Sequence, residues 1–273
     1  MPFTLAHPAA VLPLRPLRRW GLVFPALVVG AMAPDFEYFL RLRSESHVGH
    51  TVAGLFLFCV PAGLLLLWLH ERLVRRPLAL IAPSPHREAL WRAALDAPRR
   101  GAGWWLRAAL SLPVGAATHL LWDSVTHADG FLIPYMPFLM RSFDVPLVGP
   151  RPLCGLLQWI CSALGLAALG LAYARWLKTA PRCRPADVPR LPARLRDAAR
   201  ALLLAAPPGA AFLFAAATWP IYHGRSPERA FVAQFLIGWV AFTAALLLLV
   251  SCAVRLLRPA TEAARRRDEG RRD

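Results

Sequence analysis

Three ionisable side chains recur at intervals of four residues in the apolar stretch GAATHLLWDSVTH, residues 115–127. They are His119, Asp123 and His127. In an α-helix this spacing places all three on one face. A His and an Asp one turn apart can offer a nitrogen and an oxygen to the same metal ion. They can equally form a simple hydrogen bond at a membrane surface, and the spacing alone leaves both interpretations open.

The elements that carry these groups are predicted to be membrane helices. The 273-residue chain is 57% hydrophobic, with a mean hydropathy of +0.43 and a formal charge of +16. Its apolar and basic blocks alternate, which is typical of a multi-pass helical membrane protein. Five apolar blocks are long enough to cross a hydrocarbon core of ~30 Å: 51–69, 104–122, 153–174, 201–222 and 230–254.

A sixth apolar block, 20–33, is too short for a comfortable span. The sequence therefore predicts an all-α polytopic membrane bundle, with five full spans plus an N-terminal short helix or helical hairpin. We expect residues 1–257 to form a single helical membrane domain. The basic stretch 258–273 is polar enough to be a disordered tail.

Arginine gives the orientation, because cytoplasmic loops of membrane proteins carry an excess of positive charge. Three segments have seven arginines each, namely 71–103, 175–200 and 255–273, whereas the opposite segments 34–50, 123–152 and 223–229 have two each. The first three, including the C-terminus, are therefore expected in the cytoplasm. Because the arginines occur where topology requires them, they do not indicate nucleic-acid binding. Membrane lipid is the expected partner, and the sequence identifies no protein partner.

This topology brings several polar segments to the outer membrane face. Asp35 ends the short block 20–33, and His47 and His50 directly precede the block 51–69. Both segments should lie beside 119–127, the outer end of another span. An ionised Asp at such a depth is costly unless it is paired or bound to a metal. The convergence of three segments favours a metal site over an isolated His–Asp hydrogen bond.

His7 depends on how the N-terminus folds. If 20–33 is a simple span, residues 1–19 are a cytoplasmic leader and His7 lies on the wrong side of the membrane. If 3–14 and 20–33 form the two arms of a hairpin, with a tip at 15–19, His7 comes close to Asp35. The block 20–33 also resembles a signal peptide, although Pro34 disfavours cleavage there.

Four phrases resemble a bacterial family of multi-pass membrane proteins known as domain of unknown function 4184. They are PFTLAHPAAVLPL, GAMAPDFEYF, GHTVAGLFLF and THLLWDSVTH, within about residues 1–175. The order of these motifs is more distantly similar to membrane-bound metal-dependent hydrolases and zinc-dependent phospholipase C. By motif, this resemblance implicates His7, Asp35, His50, His119 and Asp123 as metal ligands. Glu45 occupies the position of a histidine in the distant group.

The sequence thus favours a metal-dependent hydrolase of the bacterial inner membrane, acting on a lipid or lipid-linked ester or phosphoester at the outer interface. Zn²⁺ or another divalent metal would be the cofactor. Asp35 and Asp123 are the candidate catalytic residues, as ligands, as a bridge between ions or as a base. His47 and His127 would support the ligands. The alternative is a non-enzymatic membrane scaffold or an ion or proton carrier with a polar His/Asp cluster.

Overall fold

Helices account for most of the chain, as the long apolar blocks predict. A computed structural model describes residues 3–98, 100–146, 148–219 and 227–269. The α-helices are α1 (Phe24–Gly30), α2 (Phe36–Arg41), α3 (Val52–Leu57), α4 (Cys59–Leu69), α5 (Arg75–Ile81), α6 (His86–Asp96), α7 (Ala102–Thr126), α8 (Leu153–Thr179), α9 (Ala193–Thr218) and α10 (Pro227–Glu269). Strands β1 (Ser142–Val145) and β2 (Gly149–Pro152) form an antiparallel hairpin before α8.

Among the described residues, four helical stretches are long and apolar enough to cross a membrane: Val52–Ile81, Leu153–Thr179, Ala193–Thr218 and Ala230–Leu257. The chain is therefore a helical membrane protein, but the prediction of five full spans is wrong. The predicted span 104–122 lies within α7, a helix of 25 residues. Its length would suffice, but Arg107, His119 and Asp123 make it too polar to join the other four. His119 and Asp123, which are candidate metal ligands, thus also lower the hydropathy of this helix below that of the four apolar spans.

The chain divides into two compact units, and the groups singled out for chemistry lie in the first. This unit comprises Met1–Glu37, Ser46–Leu67 and Arg99–Lys178. The second unit comprises Tyr38–Glu45, Trp68–Pro98 and Thr179–Asp273.

The N-terminus of the first unit folds as a hairpin. Residues Thr4–Trp20 form a 3₁₀ helix containing three prolines, whose missing N–H groups prevent a regular α-helix. Gly21 turns the chain with a φ of 89°, a value that glycine adopts without steric cost. Val11 then packs against Leu27 and Ala31 of the returning arm, and all three are fully buried. The chain thus adopts the predicted hairpin, but its first arm continues to Trp20 and its turn lies at Gly21 rather than at 15–19.

Two glycines allow α1 and α7 to pack unusually closely. A Cβ atom on Gly30 would lie 2.2 Å from the carbonyl oxygen of Leu112, and one on Gly115 would lie 2.3 Å from that of Leu27. Both distances are far below van der Waals contact, so any larger residue requires the helices to move apart. This close approach brings the C-terminal end of α1 next to the end of α7 that carries the ionisable groups.

The second unit has its own apolar core between α5, α6, α9 and α10. Trp91, Val188, Val250 and Val254 are among the residues buried there. Arg200 of α9 donates to the carbonyl oxygens of Ile81 at 2.6 Å and Ala82 at 2.8 Å, which the end of α5 leaves without helical partners. Helix α10 includes residues 258–269 of the predicted tail. Residues 270–273, and most of the predicted outer loop 223–229, lie outside the described residues.

Candidate metal centre

His119 and Asp123 face each other across one turn of α7, as their spacing predicts. His119 is fully buried, and its Nδ1 lies 2.8 Å from the carbonyl oxygen of Ala31 at the end of α1. A carbonyl oxygen can only accept a hydrogen bond, so Nδ1 carries the proton. In the neutral ring, Nε2 therefore presents a lone pair. This nitrogen lies 3.3 Å from Asp123 Oδ2.

Asp35 approaches the same nitrogen from the short 3₁₀ segment Ala33–Asp35. Its carboxylate is fully buried, and Oδ1 lies 3.5 Å from His119 Nε2. The other oxygen, Oδ2, accepts a hydrogen bond of 2.6 Å from the hydroxyl of Thr4. Burial raises the pKa of Asp35, but His119, His50 and Thr4 outweigh this effect and the net shift is downward. Asp35 is thus held as a carboxylate with one oxygen aimed at the imidazoles.

His50 contributes a second imidazole from the segment that precedes α3. Its Nε2 lies 3.4 Å from Asp35 Oδ1 and 3.8 Å from Asp123 Oδ2. The rings of His50 and His119 are inclined at 71°. About a quarter of the His50 side chain is exposed, whereas Asp35 and His119 are completely enclosed. The cluster is therefore nearest to its surroundings on the His50 side, although His50 Nε2 itself is buried.

His7 reaches the cluster from the N-terminal hairpin. Its Nε2 lies 3.6 Å from Asp123 Oδ1, the carboxylate oxygen that the other two histidines do not approach. Its ring stacks on that of His119, with centroids 3.6 Å apart. Burial, and secondarily His119, lower the pKa of His7 to about 3, so the ring is neutral at neutral pH. Neutral imidazole is the form that binds metal ions.

The residues present fit a divalent cation. Four atoms form a closed ring with sides of 3.3, 3.5, 3.4 and 3.8 Å: His119 Nε2, Asp35 Oδ1, His50 Nε2 and Asp123 Oδ2. Ligand atoms at 2.0–2.2 Å from a tetrahedral Zn²⁺ are roughly 3.3–3.6 Å apart, and the four sides of this ring are close to that range. There are two groups of three residues whose potential ligand atoms all lie within 4.8 Å of one another. One group is His7, His119 and Asp123, and the other is Asp35, His50 and His119.

The lack of hydrogen bonds to several buried ligand atoms also indicates a cation site. His7 Nε2, His119 Nε2, Asp35 Oδ1 and Asp123 Oδ1 are buried, and no described residue forms a hydrogen bond of good geometry with them. Buried polar atoms are costly when left in this condition. A positive ion between them would satisfy lone pairs that otherwise repel one another.

The two residues expected to support the ligands occupy different environments. His127 Nδ1 lies 3.6 Å from Asp123 Oδ1, just after α7 ends at Thr126. His47 is exposed, and its backbone N–H, rather than its ring, makes the contact described below. The structure thus brings His127 to the cluster through its side chain and does not show the same for His47.

Sequence reasoning missed the contributions of Thr4, Glu37 and Ser46. Glu37 accepts hydrogen bonds from the Ser46 hydroxyl and from the backbone N–H groups of His47, Val48 and Gly49, at 2.8–3.0 Å. Burial raises the pKa of Glu37, but these bonds together lower it to about 2. Glu37 lies two residues after Asp35, and its polarity next to an apolar block was the only signal in the sequence.

A small apolar cleft adjoins His7. It is lined by Ala6, Ala10, Trp122, Cys161 and Gly165, among others. An apolar surface therefore lies directly beside the polar cluster.

Comparison with known proteins gives one match. A family model described as a domain of unknown function (DUF4184) covers residues 1–254. No curated protein matches the chain. No solved structure matches it either.

Proposed function

The chain belongs to the DUF4184 family, and we propose that it is a membrane-embedded, metal-dependent hydrolase acting on a lipid or lipid-linked ester or phosphoester. The observation that carries this proposal is the convergence of Asp35, His50, His119 and Asp123, with His7 stacked beside them. These residues come from four separate segments of the first unit. A packing role alone would not require so many ionisable groups at one point, because each is costly to bury.

Zn²⁺ or a similar ion bound here would polarise an acyl or phosphoryl oxygen and lower the pKa of a bound water to about 7. The protein groups supply orientation and charge. Thr4 holds one oxygen of Asp35 and the Ala31 carbonyl holds the His119 ring, so neither group can turn away. Asp123 is 13% exposed, which makes it the carboxylate better placed to accept a proton from the surroundings.

A lipid substrate is supported by the surroundings of the cluster. Four apolar spans support a location in a membrane, where lipids surround the protein. The exposed side of the cluster, at His50 and Asp123, would receive the polar ester or phosphoester. We further propose that the protein resides in the bacterial inner membrane with its C-terminus in the cytoplasm. The arginine-rich segments 175–200 and 255–273, which two spans separate, support this orientation.

The first test is metal content. Detergent-purified wild-type protein should bind at least one equivalent of Zn²⁺, measured by mass spectrometry after dialysis against the metal. His119→Ala and Asp123→Asn should lose it. His86→Ala, a histidine of the second unit, serves as the matched control and should retain it. A wild-type protein that takes up no divalent metal would contradict the metal centre.

The second test is hydrolysis. The protein should release product from bacterial phospholipid vesicles or from a chromogenic phosphodiester or ester, and a chelator should abolish the release. Added Zn²⁺ should restore it in the wild type but not in Asp123→Asn. If the metal is bound and neither substrate class is hydrolysed, the hydrolase proposal fails and the scaffold or ion-carrier alternative replaces it.

A further inference from the structure

The segment that carries His50 is fixed by one carboxylate. Glu37 Oε1 accepts the N–H of His47 at 3.0 Å, and Oε2 accepts the N–H groups of Val48 and Gly49 at 3.0 and 2.8 Å. These are three successive backbone donors directed at a single side chain that is 4% exposed. Because hydrogen bonds to an ionised acceptor are about twice as strong as neutral ones, this arrangement strongly restrains the segment.

The segment is also pressed against the neighbourhood of Asp35. A Cβ atom on Gly49 would lie 2.4 Å from the carbonyl oxygen of Pro34, so only glycine fits there. The Gly49 carbonyl in turn accepts a weak hydrogen bond from the thiol of Cys59, at 3.8 Å. The approach of His50 to Asp35 is therefore set by a closely packed backbone and does not depend on the His50 side chain alone.

Ser46 connects Glu37 to the imidazole itself. Its hydroxyl donates to Glu37 Oε2 at 2.8 Å, and this uses the only proton that the hydroxyl has. The His50 Nδ1 lies 3.0 Å from the Ser46 hydroxyl oxygen. That contact is a hydrogen bond only if Nδ1 is the donor and the hydroxyl oxygen accepts. The neutral ring then presents its lone pair at Nε2, the atom that faces Asp35 and Asp123.

We propose that Glu37 and Ser46 are positioning residues for His50, which fix both the place of its ring and the tautomer that directs Nε2 into the cluster. The proposal rests on the metal centre inferred above but not on hydrolysis. Partners of this kind commonly orient metal-binding histidines, and their loss lowers metal affinity by roughly 10–100-fold. Glu37 holds the backbone, and Ser46 transmits the hydrogen bond to the ring.

The experiment compares Zn²⁺ affinity in Ser46→Ala, Ser46→Thr and Glu37→Gln, with Glu45→Gln as the acid-to-amide control. Glu45 is an exposed carboxylate outside this network of contacts. Ser46→Ala should lose about 10–100-fold in affinity. Ser46→Thr, which keeps a hydroxyl, should recover most of it, and Glu45→Gln should match the wild type. Glu37→Gln should lose at least as much as Ser46→Ala.

The positioning role and a purely structural role of this network predict different results. If Ser46 positions His50, the melting temperature of Ser46→Ala in detergent should stay close to that of the wild type, although its Zn²⁺ affinity falls. The visible spectrum of the Co²⁺-loaded protein should change in Ser46→Ala and revert in Ser46→Thr. Unchanged affinity and spectrum in Ser46→Ala would overturn the proposal. So would a Ser46→Thr variant that behaves like Ser46→Ala.

A metal-free measurement separates this proposal from the proposed function. In protein labelled with ¹⁵N-histidine and stripped of metal, His50 should show the Nδ1–H tautomer, and Ser46→Ala should shift the ring toward a mixture. An Nε2–H ring in the wild type would overturn the proposal even if the protein hydrolyses lipid. An Nδ1–H ring would uphold the tautomer assignment even if no hydrolysis is found.

Discussion

The rings of His7 and His119 lie face to face, with centroids 3.6 Å apart and an interplanar angle of 15°. The lone pair of an imidazole nitrogen lies in the plane of its ring. Two nearly parallel, stacked rings therefore cannot both direct Nε2 at one ion, although their nitrogens are close together. The rings of His50 and His119, inclined at 71°, can converge. This geometry favours Asp35, His50, His119 and Asp123 as the ligands of a first ion.

The stacking yields a prediction that separates the three histidines. We expect His119→Ala and His50→Ala to lower Zn²⁺ affinity by at least 100-fold, and His7→Ala by about tenfold or less, in the range of an indirect effect. Competition with a chromogenic chelator in detergent measures all three. Equal losses in His7→Ala and His119→Ala would show that His7 turns to bind the same ion as His119.

The hydrogen bond from Thr4 to Asp35 provides a test of the hairpin. It joins two buried side chains 31 residues apart at 2.6 Å. Thr4→Val keeps the shape and removes the donor, and the loss of a hydrogen bond to a charged group costs about 1.5–3 kcal/mol of stability. We expect a lower unfolding temperature in detergent for Thr4→Val, and recovery in Thr4→Ser. If Thr4→Val unfolds like the wild type, the N-terminal arm does not support Asp35.

Glu37 should make stability depend on acid pH. Burial raises its pKa, but the hydrogen bonds from residues 46–49 lower it to about 2, from 4.5 for the free group. The folded state therefore favours the carboxylate, and the stabilisation is complete above about pH 4.5 and is lost as the pH falls toward 2. The melting temperature of the wild type should approach that of Glu37→Gln over this interval. A constant difference between the two profiles would contradict the assignment.

The sequence predicted the parts of the site that depend on periodicity and on membrane topology. His119 and Asp123 share a face because of their spacing, and Asp35 and His50 were expected nearby because both flank apolar blocks. The Glu37 interaction could not be predicted, because three of its donors are backbone N–H groups that leave no mark on side-chain identity. The stacking of His7 on His119 depends on a proline-containing 3₁₀ helix whose path no periodicity specifies.

The number of spans was overestimated for a related reason. Helix α7 has the length of a span, and the prediction weighed its apolar residues more heavily than the three polar groups that it carries. His119 and Asp123 lie against polar groups from other segments, and these neighbours are invisible when the helix is considered alone. The same convergence that defines the site therefore explains the error in the fold.

The close contact between α1 and α7 predicts that Gly115 is required for the site. A Cβ atom there would meet the Leu27 carbonyl oxygen at 2.3 Å, so Gly115→Ala must push the helices apart. Overpacking of this kind costs about 1–3 kcal/mol, and it would also lengthen the bond from His119 to Ala31. We expect a lower unfolding temperature and weaker Zn²⁺ binding. Gly170→Ala on α8, where a Cβ atom meets nothing within 4 Å, is the matched control and should change neither.

The distribution of arginine predicts the membrane orientation, and the helices of the second half make the test independent of α7. One span, Leu153–Thr179, separates the β-hairpin region from the loop around Arg184, and two spans separate that loop from the C-terminus. Reporters fused after Arg184 and at the C-terminus should therefore agree with each other and read cytoplasmic, because both neighbourhoods are rich in arginine. A reporter fused after Tyr135 should read periplasmic. A periplasmic signal after Arg184 would show that the orientation is the reverse of the predicted one. Disagreement between the reporters at Arg184 and at the C-terminus would show that one of the two helices between them does not cross the membrane.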